Sequence, residues 1–310
     1  MGIPILLDTD IGTDIDDAYA LILAAVSPEL DLRAVTVVNN DVLTRGRIAK
    51  RILRLLGRDH IPVAIGEGSS LTPGVTRGSL GLEGRGIDLS GIDAERDFAP
   101  FDAAKMVADC ARNAHEMENP LTIVTIGSMT NLALAIERYP DRVGKASGIV
   151  AMASTFEGFG KETARTEHNV ACDPVAVERV FGFGLPVTLI GLNVTRRTRM
   201  DKADLEGIAG IGGPLAESLV GMHRVWFEFI KQDFSPMHDG LAVAAVYQPD
   251  LLRFQEVRAV VDVDSAAVVF NAPEAGEVTT CRVAVSVDAD RYHGMLFKRV
   301  RDAVERAKPE

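Results

Sequence analysis

At 310 residues, with 47% hydrophobic and 25% charged positions, the chain can bury a sizeable core, and its composition gives no reason to expect disorder. Its 44 acidic against 33 basic residues leave a formal charge of -11, which disfavours a polyanionic partner and excludes nucleic acid as an expected ligand. Cys110, Cys172 and Cys281 stand far apart, so neither a disulfide framework nor a zinc knuckle is expected. No cationic leader precedes the first apolar run and no apolar stretch is long enough for a bilayer, so the expectation is a cytoplasmic protein without a membrane partner.

The apolar run 3–7 predicts a buried strand ending at Asp8, and a helix over 17–26 with a second strand over 31–38 completes a βαβ unit. Helical spacing returns over 44–56 and stops at Gly57, and 61–65 predicts a third strand. From 66 to 100 the periodicity is lost among glycines 66, 68, 74, 78, 81, 84, 86 and 91, which implies either a lid or a disordered loop. A helix over 102–116, a strand over 121–126, a helix from Thr130 that ends before Pro140 and a strand over 148–152 follow. After a polar loop reaching Cys172, a helix over 174–181 opens with proline in its first turn, and 187–190 predicts a sixth strand. A helix-rich part contains the amphipathic stretch 214–231. Beyond it lie a helix starting at Asp239, strands near 257–263 and 282–287, and a terminal helix over 292–307. No repeat or linker interrupts this order. The expectation is one α/β domain over 1–310, with a mainly parallel, Rossmann-like sheet, helices on both faces and a helix-rich C-terminal part. Ligands of such sheets sit beyond the carboxyl ends of the strands.

The segment Asp8-Thr9-Asp10-Ile11-Gly12-Thr13-Asp14-Ile15-Asp16-Asp17 sets five acids at a strand-to-helix turn. Like charges this close make one another harder to ionise, and a cation relieves the repulsion. Oxygen ligands without neighbouring His or Cys suit Ca²⁺ or Mg²⁺ rather than Zn²⁺. A plainer alternative has two of the acids capping the helix and the rest in water. An EF-hand is excluded, because counting from Asp8 or Asp10 puts neither Gly sixth nor Glu twelfth. Asp8-Thr9-Asp10 also imitates the first motif of haloacid-dehalogenase-type phosphatases, with Asp8 as nucleophile and Mg²⁺. The Asp16-Asp17 pair fits that family poorly.

The segment resembles the N-terminal signature of the nucleoside hydrolase family, Asp-x-Asp, a glycine turn and Asp-Asp-Ala, met here as Asp8, Asp10, Gly12, Asp16, Asp17 and Ala18. It is longer than the commonest form, and Asp14 is extra. Four further segments match in family order: Val37-Val38-Asn39-Asn40, Gly127-Ser128-Met129-Thr130-Asn131-Leu132, Glu167-His168-Asn169 before Asp173-Pro174, and His238-Asp239. The resemblance spans 6 to about 245.

It implies a hydrolase that splits ribonucleosides into free base and ribose, with Ca²⁺ held by Asp10, Asp17, Asp239 and the backbone carbonyl of Thr130, and with Asp8 close behind. Asp10 would activate the attacking water as general base, through an oxocarbenium-like transition state. Asp16, Asn40, Glu167 and Asn169 would bond the ribose hydroxyls, Met152 would lie under the sugar, and His238 would protonate or hydrogen-bond the departing base. A homodimer or homotetramer is implied.

Two departures stand out. The family commonly has His-Gly in the glycine-rich loop, where this chain has Glu83-Gly84, which should change base contacts or loop closure. The stretch 153–168 lacks the asparagine that the resemblance leads one to expect for the ribose 5′-hydroxyl; Lys161 or Arg165 is expected nearby instead, which leaves open a substrate altered at the 5′ position. In 214–231, His223 and Phe227 read either as core side chains or as base contacts. A sensor that binds nucleosides without turnover is the remaining alternative.

Overall fold

The computed structural model describes residues 2–75, 80–276 and 280–307. Of the glycines in the irregular stretch, Gly78 lies outside the described residues. The chain opens with β1 (Ile3–Thr9), α1 (Asp16–Val26), β2 (Leu30–Val37), α2 (Val42–Leu55) and β3 (Val63–Ile65). Next come α3 (Ala94–Asp97), α4 (Ala103–Glu116), β4 (Thr122–Thr125), α5 (Thr130–Arg138), α6 (Pro140–Val143) and β5 (Gly148–Met152). The stretch expected to be a polar loop ends in a short helix, α7 (His168–Cys172), which Glu167 caps through its side chain. Then follow α8 (Pro174–Gly182), β6 (Val187–Ile190), α9 (Leu192–Thr195), β7 (Arg199–Asp201), α10 (Lys202–Ala209), α11 (Pro214–Ile230), β8 (Phe234–Pro236) and α12 (His238–Tyr247). The chain closes with β9 (Leu252–Asp262), β10 (Ala267–Asn271), β11 (Cys281–Val287) and α13 (Ala289–Arg306).

Among the described residues, nine strands form one sheet in the order β10-β9-β11-β6-β5-β4-β1-β2-β3. From β3 to β11 every neighbouring pair is parallel, and only β9 and β10 run antiparallel at one edge. The sheet is therefore mainly parallel with helices on both faces, as expected. β10 and the small β7–β8 pair were not foreseen.

The apolar run on β1 is continuous because an interior parallel strand is covered on both sides. Ile5 and Leu7 face the layer built with α1, α2, α11, α12 and α13, whereas Leu6 faces the layer of α4, α5 and α8. The surface helix α13 buries Tyr292, Leu296, Val300, Ala303 and Val304 at helical spacing, while α1 is buried along most of its length. Among the described residues, no helix is long and apolar enough to cross a membrane.

Candidate active site

The order of the sheet reverses between β1 and β4: the chain winds outward through β2 and β3 on one side, and through β5 and β6 on the other. Loops leaving β1 and β4 therefore diverge, and they leave a crevice above the carboxyl ends of the strands. The acidic segment leaves β1 at this point. Gly12 makes the turn possible at φ +113°, where a side chain would be strained and its Cβ would lie 2.5 Å from Ile48 Cδ1. Across the crevice Gly127 follows β4, and a Cβ there would meet the Asp10 backbone nitrogen at 3.0 Å.

Helix α1 starts with Asp16 and Asp17, and α12 starts with His238 and Asp239. The two helices pack together, and the Asp239 backbone N–H donates to Asp16 Oδ2 at 3.2 Å. Carboxylate oxygens of Asp16, Asp17 and Asp239 all lie within 4.8 Å of one another, and all three residues are buried. At that spacing two full negative charges repel by roughly 3 kcal/mol at an effective dielectric near 20. Three such pairs rival the whole stability of a typical domain. Burial first, and then the neighbouring carboxylates, accordingly push all three well above the usual carboxylate range. Three buried carboxylates whose mutual repulsion a positive ion would relieve form a donor set that fits a divalent cation.

Around this trio the other acids are fixed by neighbours. The Thr9 hydroxyl donates to Asp17, and Asn39 Nδ2 lies 3.5 Å from Asp10 Oδ2. Asp8 sits beneath, fully buried, accepting from the Thr36 hydroxyl and from Asn131 Nδ2 at 2.8 Å. Its other oxygen, Oδ2, has no hydrogen-bond partner among the described residues. Burial pushes its carboxyl up to about 7. Asp14 is also pushed up to about 7 by burial; it accepts from the Ile15 N–H at 2.6 Å and lies 3.4 Å from the Ser235 hydroxyl on β8.

The opposite wall comes from β5 and α7. Glu167 accepts three backbone N–H groups, from Asn169 at 2.9 Å, Ser154 at 3.0 Å and Val170 at 3.1 Å, yet burial still holds its carboxyl above the usual range. Asn169 gives both amide hydrogens to carbonyls, of Ile126 at 2.9 Å and Met152 at 3.0 Å, which leaves its Oδ1 as an acceptor. His238 is half-buried, with Nδ1 2.6 Å from the Thr195 hydroxyl, and burial beside Arg196 pulls its imidazole down to about 4.

A cavity of about 300 Å³ joins these groups. Asp10, Asp16, Asp17, Met152, Glu167, Asn169, His238 and Asp239 all line it. Three residues named from the sequence are not in its lining: Asp8, which lies below, Thr130, whose backbone carbonyl was the expected ligand and whose hydroxyl donates to Asp173 at 2.8 Å, and Asn40. Asn39, one position earlier, is the residue whose amide reaches Asp10. Both asparagines have positive φ, 72° and 54°, and a two-residue left-handed turn leaves the register unreadable from sequence. His168, Trp226 and Asp14 also line the cavity and were given no role from the sequence. Helical spacing marked the face carrying Trp226, but it could not separate cavity wall from core. His223 is core: it is fully buried and its Nδ1 lies 3.0 Å from the Tyr19 hydroxyl. Lys161 and Arg165 do not line the cavity; they pair with Asp262 and Glu157.

A doubly covered, mainly parallel sheet with buried carboxylates lining a cavity at its switch point places the chain among α/β proteins whose ligand site lies at the carboxyl ends of the strands, with a donor set that fits a cation. The family model described as inosine-uridine preferring nucleoside hydrolase matches residues 5–294. The pyrimidine-specific ribonucleoside hydrolase RihA of Escherichia coli O1:K1 is 35% identical over 263 residues, 81% of each chain. Among solved structures, the purine-preferring ribonucleoside hydrolase from Gardnerella vaginalis superposes with a TM-score of 0.85 at 27% identity, covering 97% of this chain and 99% of that one. The plant nucleoside hydrolase PpNRh1 gives a TM-score of 0.82 at 25% identity, covering 97% and 99%. The chain belongs to the inosine-uridine preferring nucleoside hydrolase family, and it is an N-ribosyl hydrolase of the glycosidase class.

Proposed function

We propose that the protein hydrolyses the N-glycosidic bond of ribonucleosides to free base and ribose, with Ca²⁺ as its cation and Asp10 as general base. The observation that carries this reading is the convergence of eight residues, seven from three separate motifs and Met152 from β5, on one cavity of about 300 Å³. Asp10, Asp17 and Asp239 would hold the cation, with Asp16 adjoining them and Asp8 supporting from below. The Thr130 carbonyl is the further ligand that the family resemblance names. The number of hard oxygens favours Ca²⁺ over the smaller Mg²⁺. A bound divalent cation supplies positive charge that acidifies a nearby water and anchors ribose hydroxyls.

Asp10 takes the proton of the attacking water. Its Oδ2 is steadied by the Asn39 amide, which keeps the carboxylate aimed at one position. Glu167 and the Oδ1 of Asn169 accept from ribose hydroxyls; both are held rigid by backbone bonds, so little ordering remains when substrate binds. A deoxyribonucleoside would leave such buried acceptors unpaired. The imidazole of His238 is neutral near pH 7. With Nδ1 against Thr195, its Nε2 is free to carry the hydrogen offered to the departing base.

The test is release of base and ribose from inosine, adenosine, uridine and cytidine in Ca²⁺, with the deoxy analogues and a chelator as controls. Release from one or more ribonucleosides, abolished by chelator and by Asp10→Ala in a folded protein, is the expected result. Turnover by folded Asp10→Ala at the wild-type rate would remove Asp10 from the base role.

A further inference from the structure

Glu83 stands where the family resemblance leads one to expect histidine, and it does not line the cavity. Its side chain is only 4% exposed, and its Oε1 accepts from the Thr13 hydroxyl at 3.2 Å and from Arg45 Nη2 at 3.5 Å. Arg45, in the first turn of α2, is 2% exposed at its side chain. Its Nε donates to the Asn39 carbonyl at 2.8 Å, Nη1 to the Ile11 carbonyl at 3.0 Å, and Nη2 also to the Thr13 hydroxyl at 3.1 Å.

One guanidinium thus touches three segments beside the acids. Asn39 carries the amide that reaches Asp10, Ile11 and Thr13 flank the Gly12 turn, and Glu83 belongs to the glycine-rich loop. A planar fork with five donors can serve these diverging acceptors at once, which an ammonium cannot. Burying such a charge without its carboxylate is strongly unfavourable, so Arg45 and Glu83 need one another. The same helix grips the loop twice more, through Arg47 Nη2 to the Leu89 carbonyl at 3.1 Å and Arg54 Nη1 to the Gly91 carbonyl at 3.0 Å.

We propose that Arg45 and Glu83 form a buried latch that locks the glycine-rich loop onto the acidic loop, with Arg45 the positioning residue for the carboxylates around the cation. This rests on the reading that those carboxylates bind a divalent cation. It also assigns Glu83 to loop closure and away from the leaving base.

The experiment compares full-length wild type with Arg45→Met, Arg45→Lys, Glu83→Gln and the Arg45→Met/Glu83→Gln double variant. Ca²⁺ affinity is measured by calorimetry on the metal-free protein, amide hydrogen exchange over 11–15 and 81–91, and KM and kcat separately. Arg45→Met is expected to weaken Ca²⁺ binding by about 10–100-fold, as loss of a residue that orients metal ligands does. Arg45→Lys should fail to restore it. Glu83→Gln should raise exchange over 81–91 and raise KM more than it lowers kcat, and the double variant should be less impaired than the two single effects combined. Wild-type Ca²⁺ affinity in Arg45→Met, or unchanged exchange over 81–91 in Glu83→Gln, overturns the latch. If Arg45→Met does not fold, Arg45→Lys and Glu83→Gln decide. If wild type binds no Ca²⁺, the cation reading fails on its own, and the exchange measurements still decide whether the loop is latched.

Discussion

At His238 the local environment decides which kind of acid catalysis is open. Burial beside Arg196 pulls the imidazole down to about 4, so between pH 6 and 8 it is neutral, and in the proposed role it would give a hydrogen bond rather than a full proton. Removing it should matter in proportion to how much the leaving group needs help. His238→Ala is expected to slow inosine or uridine hydrolysis by roughly 10²-fold or more, and p-nitrophenyl riboside by less than about 10-fold. The comparison is one of kcat on the two substrates; equal losses would take His238 out of the leaving-group role. Residue identity made His238 and the acids visible in the sequence, because each sits in a dense polar motif. Asp14 and Trp226 were harder to see, since an extra acid or a helical aromatic has the same sequence signature whether it faces a cavity or the core.

Among the elements, the parallel strands were legible because interior strands must be apolar on both faces, as 3–7 and 148–152 are. The edge strand β10 was not: it is only five residues long, Ala-Val-Val-Phe-Asn, and follows β9 after a four-residue turn, so its apolar stretch reads as belonging to the strand before it. The glycine-rich stretch was ambiguous between lid and disorder. The described part is anchored, by α2 on one side and by α11 on the other, where Gly86 lies against Gly221. A Cβ on Gly221 would sit 2.0 Å from the Gly86 carbonyl oxygen, which is backbone and cannot swing aside. Gly221→Ala should therefore push the loop off the helix, destabilising the fold by about 1–3 kcal/mol of overpacking and raising KM. Gly294→Ala, with open space around its Cβ on α13, should instead gain about 0.5–1 kcal/mol of helix propensity. Denaturant melts of the two variants test the contrast, and equal stability for both would mean that the loop does not rest on α11 as described.

For the molecule as a whole, the buried acids link cation binding to stability and pH. Asp8 and Asp14 ionise near 7 in the folded protein but near 3.8 when unfolded. Such groups favour the folded state fully below about pH 4, and that advantage is lost as pH rises through about 7, because only the unfolded chain has released its protons. Asp16, Asp17 and Asp239 shift in the same direction and extend the effect. Surface acids such as Asp97, held low by Arg96 and Arg54, work the other way and lose stability as pH falls. The two trends overlap in any single melting curve, but the surface groups contribute equally with and without the cation. The difference in Tm between Ca²⁺-loaded and chelator-treated protein therefore isolates the buried cluster. A cation binds the ionised carboxylates, so that difference should be small at pH 5 and grow through pH 8, reaching about 2.7 kcal/mol of stabilisation where free Ca²⁺ is 100 times Kd. A difference that stays constant from pH 5 to 8 would mean that the stabilising ion sits on groups already ionised at pH 5, away from the cluster at the switch point of the sheet.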